Sequence, residues 1–162
     1  MSWWRRGRVV WPAIGLLAGV AAGRAQADTR CAAITQAQVA ALFDRWNAAL
    51  ATRDPDAVVR TYAPDAVLLP TVENGPLIGR EAIRGYFVAF LKKNPHGTID
   101  RRTIRIGCNV AYDVGLYTFM TDGEQPGSRV AVPARYTYIY EPRGGEWLIV
   151  HHHSSRQPGN AH

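Results

Sequence analysis

The sequence predicts an α+β domain built on an antiparallel sheet. Apolar residues at helical spacing are gathered in the first half of the chain, and long strand-like segments joined by tight turns fill the second half. At 162 residues the chain fits one domain, since domains usually run to about 100–200 residues.

The first 27 residues stand apart from that domain. Arg5, Arg6 and Arg8 form a basic start, residues 9–20 are apolar apart from Pro12 and two glycines, and Ala25, Gln26 and Ala27 suit a cleavage site. This reads as a secretory signal peptide cut before Asp28, with an uncleaved anchor as the alternative. The apolar run is shorter than the roughly 20 residues a spanning helix needs. The expected organisation is then an N-terminal arm over 28–33, a domain over 34–155 and a flexible tail over 156–162, in the periplasm or secreted, with no stable membrane insertion after cleavage.

Residues 35–52 place Val39, Leu42, Phe43, Trp46, Ala49 and Leu50 at steps of three and four, and Thr35 can cap the start. A first helix therefore buries a stripe with Trp46 near its middle. Asp54 caps a short second helix with Pro55 at its first position, which residues 63–65 end. Residues 66–69 form a short apolar strand stopped by Pro70, and residues 73–76 are a turn cluster. From Arg80 a third helix carries Ile83, Tyr86, Phe87, Phe90 and Leu91 on one side, with Lys92 and Lys93 at the end its dipole favours for cations. Four strands follow over 98–106, 110–120, 129–140 and 147–154, separated by turns such as Asp122-Gly123 and Arg143-Gly144-Gly145.

The formal charge of +6 rests largely on the leader. Of 19 basic residues, four arginines lie in residues 1–27 and no acid does, so 15 basic face 13 acidic residues after cleavage. A nucleic-acid partner would need clustered basic charge on the folded part. Arg101, Arg102 and Arg105 remain, and on a strand they read as a solvated face or an ion-pair ladder. Cys31 and Cys108 form an even pair in an exported chain, which favours one disulfide over two buried thiols.

The last strand, WLIVHHHSS over 147–155, holds the sharpest chemistry. At a side-chain period of two, Trp147, Ile149, His151 and His153 share one face, and Leu148, Val150, His152 and Ser154 share the other.

The order helix, short helix, strand, helix, long meander resembles the nuclear transport factor 2-like superfamily, which includes ketosteroid isomerases and SnoaL-like cyclases. The marks are NAALATRD over 47–54, YAPDAVLLP over 62–70, GREAIR over 79–84, and AYDVG over 111–115 before Tyr117. Within it, the chain is similar to the calcium/calmodulin-dependent protein kinase II association (hub) domain, whose final strand W-x-x-V-H-x-H-x-S is reproduced by Trp147, Val150, His151, His153 and Ser155. The resemblance implies a cone-shaped curved antiparallel sheet covered by three N-terminal helices, and self-association as a homodimer or larger ring. It implies no kinase activity, because the chain has no Gly-rich phosphate loop and no H-R-D or D-F-G segment. Where ketosteroid isomerases carry an aspartate base and a helix-one tyrosine, this chain holds Pro70 and Trp46, so that mechanism is not expected.

The candidate chemistry follows from these placements. Arg135, His151 and His153 are expected to line one pocket that prefers a small anionic ligand, with Trp46 and Tyr117 as further lining. The rival reading is a SnoaL-like or isomerase-like enzyme in which Asp113 works with His151 or His153 as an acid–base pair. Structural imidazoles are the plain alternative to both. No cofactor and no metal are expected, since H-x-H lacks a third ligand at readable spacing. Tyr136, Tyr138 and Tyr140, with Tyr117 and Phe119 next door, are expected to leave one sheet face apolar enough to drive self-association.

Overall fold

A computed structural model describes residues 31–159, so the expected leader over 1–27 lies outside the described residues. Helix α1 (Gln36–Ala51) starts at a capping box in which the Thr35 hydroxyl accepts from the Gln38 amide and the Gln38 side chain accepts from the Thr35 amide. Its buried stripe is Val39, Phe43, Trp46 and Leu50. Helix α2 (Pro55–Val59) is capped by the Asp54 carboxylate, 2.8 Å from the Asp56 amide. Helix α3 (Gly79–Phe90) buries Ile83 and Phe87 and runs into one 3-10 turn over Leu91–Lys93.

Six strands complete the domain: β1 (Tyr62–Leu69), β2 (Leu77–Ile78), β3 (His96–Gly107), β4 (Val110–Asp122), β5 (Arg129–Arg143) and β6 (Glu146–Arg156). They form one sheet in the order β2-β1-β6-β5-β4-β3, with its two end strands unpaired to each other, so it curves without closing. One pair departs from the expected antiparallel pattern. β1 lies parallel to β6, because the long chain between them leaves its direction free of any hairpin constraint. β1 also begins at Tyr62 rather than residue 66; Pro64 is accommodated in the register shift between Tyr62 and Val67, where its missing N–H leaves no ladder bond unmade. β2 has two residues, too few to show a period. β6 runs through Arg156, past the expected strand end at residue 154.

The core lies between the helices and one face of the sheet. Trp46 is its centre, with the rings of Phe43, Phe87, Phe119, Tyr138 and His152 at centroid distances between 5.4 and 6.3 Å. Tyr117, Phe119, Tyr136, Tyr138 and Tyr140 are buried here, at most 7 % exposed. Their expected role as an exposed apolar face is therefore corrected: alternation marks one face of a strand but does not say which face the helices cover. Cys31 and Cys108 are bonded, joining the segment before α1 to the β3–β4 turn.

Candidate functional site

β6 carries the irregularity that arranges the site. Tyr140 pairs with Ile149 and Ile139 pairs with His151, so Val150 is an extra residue on β6. Such a bulge reverses the side-chain alternation beyond it. His152 and Ser154 consequently share the inner face with Ile149, opposite Tyr138 and Tyr136. His151 and His153 turn to the outer face beside Ile139 and Thr137. The unbroken period assumed from sequence placed these histidines the other way round.

His152 ends a buried relay. The Trp46 indole N–H donates to the Tyr62 phenol oxygen at 3.1 Å, and that phenol lies 2.9 Å from His152 Nδ1. Because indole only donates, the phenol oxygen accepts there; its O–H has no other acceptor among the described residues, so it donates to Nδ1 and leaves the imidazole N–H on Nε2. The ring stacks on Tyr138 at 4.1 Å between centroids. Burial, helped by the neighbouring His151 and His153, pushes its pKa down to about 3, so it is neutral at ordinary pH. Its Nε2 is buried with no hydrogen-bond partner among the described residues.

Two positions along β6, the Ser154 hydroxyl accepts from the Tyr117 hydroxyl and is hydrogen-bonded to that of Thr71. These groups border a cavity of about 140 Å³ whose walls include Trp46, Phe87, Phe119, Tyr117, His152 and Ser154. Its charged lining residues, Lys93 and Arg156, are both exposed.

A second polar cluster lies on the same inner face, towards β3. Asp113 is fully buried and accepts from the Tyr136 hydroxyl at 2.8 Å and from Arg102 Nε at 3.2 Å. Arg102 Nε is also 3.0 Å from the second carboxylate oxygen, and its guanidinium sits over the Phe43 ring. Burial raises the Asp113 pKa, against the opposing pull of Tyr136 and Arg102. The cluster has a local cause in sequence: a register shift between Ile99 and Arg101 rotates Arg102 inward while Arg101 and Arg105 stay exposed.

The expected site is thus divided by the sheet. Trp46 and Tyr117 line the cavity. Arg135, His151 and His153 lie near one another on the outer face, where Arg135 Nη2 donates to the Arg156 carbonyl at 3.3 Å. Asp113 faces inward, so it cannot pair with either histidine. Arg135, His151 and His153 are replaced at the cavity by His152 and Ser154, because the bulge leaves no signature in the hydrophobic pattern, and by Thr71, which follows β1 and meets Ser154 only through contact between segments distant in sequence. Among the described residues no group of three His, Cys, Asp or Glu side chains is placed to hold a metal ion.

The sequence of residues 35–158 matches the family model of the calcium/calmodulin dependent protein kinase II association domain. A Xanthomonas campestris protein whose crystal structure is described under that same association-domain name is 50% identical, with a TM-score of 0.73 over 80% of this chain and 96% of the other. At low identity the likeness is one of fold. A nuclear transport factor 2-like superfamily protein from Salmonella enterica is 16% identical with a TM-score of 0.66, over 77% of this chain and 92% of its own. A ketosteroid isomerase-like protein from Erwinia carotovora atroseptica is 14% identical with a TM-score of 0.62, over 76% and 96%. No curated protein matches the sequence. With a nuclear transport factor 2-like fold and an association-domain match running from α1 past the end of β6, the chain belongs to the calcium/calmodulin dependent protein kinase II association domain family.

Proposed function

We propose that the protein is an exported domain that joins copies of itself through the outer face of its sheet and holds a small ligand in the inner cavity. The observation that carries the assembly reading is the absence of any described helix from that outer face. Tyr112, Val114 and Leu116 on β4, Thr137 and Ile139 on β5, and His151 and His153 on β6 lie side by side there. Tyr112 alone is 41% exposed. A second copy covers these strands without disturbing the core, and the family name of the Xanthomonas relative points to association. Arg135, His151 and His153 then serve the interface rather than a pocket. Export is supported by the leader-like sequence and by the Cys31–Cys108 bridge, which persists in an oxidising compartment.

Light scattering of the disulfide-bonded protein tests the assembly. A dimer or larger mass at micromolar concentration is expected, and Leu116→Asp should reduce it to a monomer. A monomer mass for the unaltered protein refutes the reading.

A further inference from the structure

The cavity and its polar wall fit one ligand class. Three hydroxyl hydrogens, on Thr71, Ser154 and Tyr117, serve two contacts among themselves, so one is left over. His152 adds a second spare donor, since the relay through Tyr62 holds its N–H on Nε2 and no atom of the described residues accepts it. The two residues lie two apart on the same inward face of β6. The His152 donor is buried, and a spare buried donor is costly unless something accepts from it, whereas the hydroxyl chain ends at the half-buried Thr71. Around them the walls are aromatic, and the volume of about 140 Å³ matches that of apolar cavities, about 150 Å³, known to take up benzene. The buried part of the lining holds no cation, because His152 is neutral and Lys93 and Arg156 are exposed. A carboxylate sunk among these rings would have no countercharge.

We propose that the cavity receives a neutral one-ring molecule bearing a hydroxyl or carbonyl oxygen, the ring lying among Trp46, Phe87 and Phe119 and the oxygen accepting from His152 and the Thr71–Ser154–Tyr117 chain. This rests on the reading of the cavity as a ligand site and is independent of assembly. The test is an NMR titration of the disulfide-bonded protein with phenol, benzene and benzoate. Phenol should bind saturably and shift the amides around residues 117, 152 and 154, with benzene and benzoate each about tenfold weaker. Ser154→Ala and the near-isosteric Thr71→Val should each weaken phenol by about three- to tenfold, the loss expected for one hydrogen bond, and leave benzene unchanged. Equal binding of phenol and benzene, or tightest binding of benzoate with loss in Lys93→Gln or Arg156→Gln, overturns the ligand class but keeps the cavity as a site. Saturable shifts from none of the three overturn both.

Discussion

His152 makes stability depend on acid in a calculable way. Its folded-state pKa is pushed down to about 3, against 6.5 for a free imidazole. Between those values the unfolded chain binds a proton that the native state refuses. Stability therefore falls as pH drops through 6.5 and goes on falling toward 3, while above pH 7 the ring is neutral in both states and contributes no pH dependence. The slope approaches about 1.4 kcal/mol per pH unit, so going from pH 7 to pH 5 removes about 2 kcal/mol through this residue alone. His152→Phe keeps a ring to stack on Tyr138 and deletes the titration. It also strands the Tyr62 hydroxyl, a penalty of about 1–3 kcal/mol that does not vary with pH. Asp113, whose raised pKa acts in the opposite sense, and His151, whose pKa is lowered mainly by burial, are common to both proteins and cancel in the comparison. Urea unfolding of both proteins at pH 7 and pH 5, at one protein concentration, reads the difference. The unaltered protein should lose about 2 kcal/mol more than the variant. Parallel losses would show that His152 is not held neutral by burial and would remove the basis for its spare donor.

Other expectations follow from single features. Breaking the Cys31–Cys108 bridge reopens a loop of 77 residue separations, and reduction should lower the melting temperature with the far-ultraviolet spectrum retained; the chain-entropy value is at most about 4.5 kcal/mol, and full thiol labelling without reductant would show the bridge absent. Gly115→Ala should destabilise by about 2 kcal/mol or more, because a Cβ there would run into the Arg101 carbonyl across β3, and an unchanged denaturation midpoint would contradict that approach. On the proposal of export, N-terminal sequencing of the mature protein should begin at Asp28, and recovery of an intact Met1 form would refute cleavage.

Much of the frame was legible because it depends on short-range chemistry. Thr35 with Gln38, Asp54 with Pro55, and the stripe Val39, Phe43, Trp46, Leu50 each specify a helix locally, and α1 and α2 start where those residues put them. Strands long enough to show alternation were found with ends that differ by a few residues. What escaped were the features set by pairing with a partner distant in sequence. The parallel β1–β6 contact and the burial of the tyrosine ladder under α1 depend on how separate segments meet, and no window of sequence holds both partners.

The site escaped for a narrower reason. Three consecutive histidines contain no chemical difference by which to sort them, so their assignment rested wholly on counting from Trp147. One extra residue at Val150 inverts that count. The consequence is physical as well as notational. His151 and His153 lie on the outer face, where partial burial holds the His151 pKa below that of a free imidazole. His152, between them, is walled in by Trp46, Tyr62 and Tyr138 and stays neutral. A neutral imidazole donates one hydrogen bond without carrying charge into the core. The bulge therefore lets one short run of identical residues furnish an exposed polar face and a buried neutral donor on opposite sides of the same strand.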